Sequence, residues 1–209
     1  SAWRPASRGP AWKTLTTSDP GADDGYVWGG KPKDHVSDTL LLLKNSSDLS
    51  GPHRKAFLRF SLSELGGKQI ENAELSLRFT PTGWGLASLV EDSHFLVYGI
   101  IDDSLDDWNH STLNWENAPA NNTTNGTGLD PEKAVRIGEF TIPRGVQAGT
   151  FGIRGEALAR FLEEDKNDMA TLVVVRTTME TRGGGLVHSF ASARHPSLPA
   201  PAIHVKTRQ

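Results

Sequence analysis

Hydrophobic and polar residues alternate along much of this chain in short runs. In "KAFLRFSL", residues 55–62, Leu58 and Phe60 fall on one parity, whereas Lys55, Phe57 and Arg59 fall on the other. Successive side chains of a β-strand point to opposite faces of its sheet. The run therefore predicts a strand with one apolar face and one face that is basic and aromatic.

Similar runs recur between clusters of Gly, Pro, Asn and Asp. A series of short strands divided by turn-forming residues is typical of an antiparallel β-sandwich or jelly roll. One segment, "GEALARFLEEDKND", instead places Leu158, Phe161 and Leu162 on one helical face and predicts a short helix at one end of the sandwich. The predicted strands lie in "GYVW", "TLLLLK", "AFLRFSL", "AELSLRF", "HFLVYGI", "VRIGEFTI", "GTFGI", "ATLVVVRT", "LVHSFAS" and "AIHVK".

The chain length of 209 residues fits one β-rich domain with a sizeable core. We expect residues 1–20 to form an N-terminal arm and residues 21–209 to form a single domain. The Asn-rich segment "NAPANNTTNGTGLDPEK" is expected to be its least regular part, because its composition is that of a polar loop.

The overall charge limits the classes of partner. With 22 Lys and Arg against 25 Asp and Glu, the net charge is −3, so no bulk positive field is available for nucleic acid. The sequence has no cysteine for a disulfide framework or cysteine chemistry, and no apolar run approaches the length of a membrane span. Any recognition of anions must come from local clusters of basic residues.

Several segments, read in order, resemble the DNRLRE domain, a group that includes carbohydrate-binding module family 96. The resemblance extends from about Asp24 to Val205, and its most specific parts are "RKAFLRFSL" and "STLNWENAP". It departs from the family pattern after "LVHSF", where "ASARHPS" displaces Arg194 and lacks the usual Glu. The resemblance implies a jelly-roll domain of extracellular microbial proteins, often beside polysaccharide lyases, that binds alginate.

The alternation and the resemblance together give a set of candidate ligand-binding residues. Outward guanidinium and ammonium groups pair with carboxylates or sulfates along a polysaccharide, and flat aromatic rings pack against pyranose C–H groups. The candidate set comprises Lys44, Lys55, Phe57, Arg59, Arg78, Arg176, Trp28 and Trp84.

Two acidic clusters, "DPGADDG" and "DDSLDD", are candidate calcium sites with hard oxygen ligands, although neither has EF-hand spacing. Asp23 and Asp24 are preferred because they open a strand that a calcium ion would tie to the domain. The competing interpretation is that these aspartates serve as turn and capping residues.

The sequence thus predicts a noncatalytic module that binds an acidic polysaccharide and brings an attached or partner enzyme to it, outside the cell. The alternatives are a structural or adhesive surface module and a jelly-roll polysaccharide lyase. Lyase chemistry needs a base such as Tyr26 or His188. However, "QIENAE" has Glu71 where the Gln-Ile-His strand of such enzymes would need histidine.

Overall fold

The computed structural model describes residues 12–29, 38–47, 52–67, 69–82, 92–180 and 187–208. These ranges contain eleven β-strands and one α-helix, and the strands pair antiparallel in two sheets. The predicted all-β antiparallel sandwich with one short helix is confirmed. The elements are β1 (Trp12–Thr16), β2 (Asp23–Trp28), β3 (Leu40–Leu43), β4 (Arg54–Ser61), β5 (Ile70–Phe79), β6 (Asp92–Ile100), β7 (Ala134–Pro143), β8 (Gly149–Arg154), α1 (Glu156–Glu164), β9 (Met169–Arg176), β10 (His188–Ala191) and β11 (Ala202–Thr207).

The two sheets are connected at one edge. The first sheet has the strand order β1-β11-β5-β10-β3, with β8 also paired to β5, and the second has the order β2-β4-β9-β6-β7. Directly after β3, Lys44 pairs with Arg54 at the start of β4 through two backbone hydrogen bonds of 3.2 and 3.0 Å. The edge of the first sheet is therefore joined to the second sheet where β4 begins.

The main core fills the space between the sheets. Leu58 and Phe60 of β4 face it from the second sheet, as the alternation predicted, and Leu75 and Ile203 face it from the first. The helix α1 adds Leu158, Phe161 and Leu162 to the same cluster, which confirms its predicted apolar face. A contiguous core of this size is what stabilises a sandwich against the entropy of the unfolded chain.

A second apolar cluster lies on the other face of the second sheet. Residues 101–133 cover this face, and Trp108, Leu113 and Trp115 from the cover pack with Phe57 and Val173 of the sheet. The Asn-rich part of the cover, expected to be the least regular segment, folds into consecutive turns. Its Asn side chains accept hydrogen bonds from backbone N–H groups two or three residues ahead.

Residues 12–16 of the predicted arm form β1, which pairs with β11 at the edge of the first sheet. The rest of that arm before Trp12 lies outside the described residues.

Among the described residues, no helix has the length and apolarity needed to cross a membrane.

Candidate functional site

The basic face of β4 is not a solvent-exposed stripe. Lys55 and Phe57 are fully buried and Arg59 is only 9% exposed, because the cover formed by residues 101–133 lies over this face. The alternation correctly separated these side chains from the main core. The expectation that they face solvent is wrong, since alternation assigns a side chain to a face and says nothing of what covers that face.

Lys55 holds the cover in place. Its ammonium group donates to Asn121 Oδ1 at 2.7 Å, to the Asn125 carbonyl at 2.9 Å and to the Gly128 carbonyl at 2.6 Å. The Nζ atom also lies 4.7 Å from the centre of the Trp115 ring. Burial lowers the pKa of Lys55 to about 7. Lys55 therefore stabilises the folded domain by fixing the cover to the second sheet.

Arg59 has a comparable role nearer the other end of the strand. Its guanidinium donates to the Gly21 carbonyl at 3.1 Å, to the Asp106 carbonyl at 3.0 Å and to the Trp108 carbonyl. It also lies 5.1 Å from the Trp108 ring centre. These partners are all backbone carbonyls or an aromatic ring, so the side chain fixes the cover to the sheet.

A different set of basic residues converges where β4 begins and β9 ends. We call Lys44, Arg54, Arg176, Trp28 and Glu180 the end cluster. The Arg54 guanidinium lies 4.2 Å from the centre of the Trp28 ring, and Lys44 Nζ lies 3.1 Å from Glu180 Oε2. Glu180 also accepts a hydrogen bond from the Ser46 hydroxyl at 3.2 Å. The end cluster thus brings together three cations, one carboxylate and one indole ring.

Arg54 and Arg176 belong to the core-facing parity of their strands. Arg54 shares it with Leu58, and Arg176 shares it with Leu172, so both guanidinium groups lie at the end of the space between the sheets. The expected outward orientation of Arg176 is therefore wrong. The two arginines are 6% and 1% exposed. They replace apolar side chains in the last layer of the core.

Burial makes the charged forms of these arginines unfavourable. It lowers the pKa of Arg54, and it lowers the pKa of Arg176 to about 10, while the Glu180 carboxylate acts in the opposite direction on both. Neither Nε nor Nη1 of Arg54 has a hydrogen-bond partner among the residues that the structure describes. Arg176 therefore remains charged at neutral pH, and the end cluster contains three basic side chains against the single carboxylate of Glu180.

His188 closes the inner side of the end cluster. Its ring lies between Phe79 and Phe95, with centroid separations of 5.4 and 5.3 Å, and the residue is 2% exposed. Burial, with a smaller contribution from the Arg176 charge, lowers the pKa of His188 to about 3. His188 is accordingly neutral at physiological pH and adds no charge to the group.

The remaining candidates lie elsewhere. Arg78 is half-buried in β5 of the first sheet, where it pairs with Thr150 of β8, and alternation directs it away from the core-facing Phe79. Trp84 lies outside the described residues. Of the predicted ligand-binding residues, the structure brings together Lys44, Arg176 and Trp28.

Asp23 and Asp24 contact a basic side chain. Arg194 Nη1 lies 3.4 Å from Asp23 Oδ1, and Arg194 Nη2 lies 3.1 Å from Asp24 Oδ1. Asp24 also accepts from the Thr17 hydroxyl at 2.7 Å, and burial raises its pKa. His110 donates its backbone N–H to Asp23 at 2.8 Å. Calcium at this pair stays a prediction, and an ion there would compete with Arg194.

Sequence reasoning did not identify Arg54 or Glu180 as site residues. Arg54 has the same parity as Leu58 and Phe60, so alternation assigned it to the core. Arg54 could have been identified as a basic residue on the apolar parity at the end of a strand. A cation is rarely buried at such a position without a partner, so it indicates a site. Glu180 follows β9 in a loop, and only the fold places it beside Lys44.

The fold is an antiparallel sandwich, and one end of it brings basic groups and an indole ring together. A model of carbohydrate-binding module family 96 matches residues 15–150, more than half of the 209 residues, and the chain belongs to this family. The matched region includes Trp28, Lys44 and Arg54 of the end cluster. No curated protein matches the chain.

Proposed function

We propose that this module binds an acidic polysaccharide through the end cluster. The ligand is a polyuronate such as alginate, or a sulfated glycan, and the module is noncatalytic. It brings an attached or partner enzyme to that polysaccharide outside the cell. Family membership supports carbohydrate binding, and the charge of the end cluster supports an acidic carbohydrate.

The observation that carries the proposal is the incomplete hydrogen bonding of one buried cation. That cation is Arg54, whose Nε and Nη1 atoms donate no hydrogen bond to any described residue. A buried charge without a full set of partners is costly. A ligand carboxylate or sulfate would approach this end beside Lys44 and Trp28, which are partly exposed, and would bring negative charge close to the Arg54 guanidinium.

Trp28 orients the arginine for this purpose. Its ring contacts the Arg54 guanidinium at 4.2 Å, and Trp28 also pairs with Arg54 across β2 and β4. A guanidinium held against an indole face has fewer rotamers to lose when it binds an anion. The Arg54 guanidinium is therefore held in a fixed plane for pairing with a ligand anion, unlike a mobile ammonium group.

Membership of a carbohydrate-binding module family favours binding over catalysis by the candidate lyase bases His188 and Tyr26.

Affinity electrophoresis should show that alginate, pectin or a sulfated galactan retards this chain and that cellulose and xylan do not. The retardation should weaken as salt is raised, because exposed parts of ion pairs are screened over about 8 to 10 Å at ordinary ionic strength. Incubation with uronate polymers should produce no rise in ultraviolet absorbance from unsaturated sugars. Equal retardation by neutral polymers would contradict the acidic specificity, and sustained turnover would identify a lyase.

A further inference from the structure

Three aspartates meet at the end of the second sheet opposite the end cluster. Asp103 and Asp106 lie in and just after the 3-10 turn Asp103–Leu105 that follows β6, and Asp165 immediately follows α1. Each offers a carboxylate oxygen, and these oxygens all lie within 4.8 Å of one another. We call Asp103, Asp106 and Asp165 the aspartate triad.

No cationic side chain in the described part of the chain forms an ion pair with the carboxylates of the triad. Among the described residues, no Lys, Arg or His forms an ion pair with any of the three, and Arg59 donates to the backbone carbonyl of Asp106. Like charges this close repel one another by an amount that grows with burial. The charge of Arg59 acts on Asp106 without an ion pair, and the arrangement favours binding of a further positive charge.

Asp106 is the strongest sign of a missing partner. It is 3% exposed, and its Oδ1 atom accepts no hydrogen bond from any described residue. Its other oxygen accepts from the Asn167 amide at 3.0 Å. Burial raises the pKa of Asp106, and the nearby Thr171 hydroxyl and Asn167 amide oppose only part of that rise. Asp165 Oδ2 is also buried, and no described residue donates a hydrogen bond to it.

The helix adds to the negative potential at the triad. The last turn of α1 has no basic residue, and Glu163 and Glu164 precede Asp165. The C-terminal end of a helix carries partial negative charge and favours cations. Burial raises the pKa of Asp165 to about 6, with further contributions from Asp103 and Asp106.

We propose that the aspartate triad binds a divalent cation, with calcium as the best match. All three side-chain ligands are carboxylates, which suit a hard cation, and the triad contains no His or Cys to favour zinc. Asp103 and Asp165 are half-buried, so water can complete the six to eight oxygen ligands that calcium accepts. The ion would connect the turn after β6 to the segment between α1 and β9.

Terbium luminescence tests the site directly, because Trp108 lies beside it and can sensitise a bound lanthanide. The Trp108 backbone N–H donates to the Asp106 carbonyl at 3.0 Å. Terbium should luminesce when the tryptophan is excited, and calcium should displace it. Calcium at 100-fold its dissociation constant should also raise the melting temperature by about 5 to 10 °C relative to chelator.

Asp165→Asn should abolish both responses, whereas Asp107→Asn, at an exposed neighbouring aspartate, should retain them. In chelator, Asp165→Asn should melt no lower than the unmodified protein, because it removes one of three repelling charges. The proposal is overturned if millimolar calcium leaves the melting temperature unchanged. It is also overturned if Asp165→Asn keeps the calcium response while Asp23→Asn loses it, since calcium then lies at Asp23 and Asp24. Polysaccharide binding at the opposite end is measured separately, so either proposal can fail alone.

Discussion

Lys55→Ala is expected to lower the free energy of unfolding by about 2 to 4 kcal/mol, because a buried acceptor left without its donor costs about 1 to 3 kcal/mol. The substitution removes the donor to Asn121 Oδ1 and to the carbonyls of Asn125 and Gly128. It also empties the space beside Trp115. Urea unfolding followed by tryptophan fluorescence measures the loss, and Lys133→Ala at an exposed lysine is the matched control.

The contribution of Lys55 should depend on pH in a defined direction. Burial lowers the pKa of Lys55 in the folded protein to about 7, below its ordinary value of 10.5. Between these values the unfolded chain binds the proton and the folded protein does not, so stability rises with pH. The difference between the unmodified protein and Lys55→Ala should therefore be larger at pH 9 than at pH 6.5. If the difference shrinks as pH rises, the hydrogen bonds from the charged ammonium group to its oxygen acceptors stabilise the protein more than burial of the charge destabilises it.

Leu58→Ala should cost about 2 to 5 kcal/mol of stability, because it leaves a cavity in the centre of the sandwich. Leu58 is fully buried, and it lies between Asp24 of β2 and Leu172 of β9 in the second sheet. Thermal and urea unfolding give the difference. The control is Ile101→Ala, at an aliphatic residue that is 52% exposed, where we expect a change of about 0.5 kcal/mol or less.

The neighbouring substitution Arg59→Ala distinguishes a buried basic face from a solvated one. The covered position predicts a clear loss of stability, because the Gly21 and Asp106 carbonyls lose their donor. An Arg59→Ala protein as stable as the parent would contradict the cover over this face. A stable Leu58→Ala protein would contradict the assignment of the core.

The fold was largely predictable, because a repeated alternation specifies which side chains of a strand share a face. The cover over the second sheet was not, because its contacts are between segments far apart in sequence. Lys55 and Asn121 are separated by 66 positions, and no local pattern indicates that an ammonium group will meet those turns. Trp115, which belongs to the same cover, is buried beside Lys55.

The candidate site was predictable only in its chemistry. The sequence indicated that basic residues and a tryptophan would meet an acidic ligand, and Lys44 and Trp28 do lie together. Arg54 has the same parity as the core residues of β4. Alternation assigns that parity to apolar side chains, so Arg54 was not among the candidate ligand-binding residues. Burial of a guanidinium at the end of a strand depends on the adjoining loop that supplies Glu180, and this proximity exists only in the folded protein.

The most direct test of acidic polysaccharide binding is calorimetric titration of a uronate oligosaccharide into the unmodified protein, Arg54→Gln and Arg160→Gln. Arg160 is exposed on α1, away from the end cluster, and serves as the matched loss of one positive charge. Each variant is first melted to establish that it folds. We predict that Arg54→Gln weakens binding about tenfold or more, since a hydrogen bond to a charged group contributes about 1.5 to 3 kcal/mol, and that Arg160→Gln leaves it unchanged. Equal affinity of a folded Arg54→Gln protein and the unmodified protein would contradict the assignment of the end cluster as the binding site.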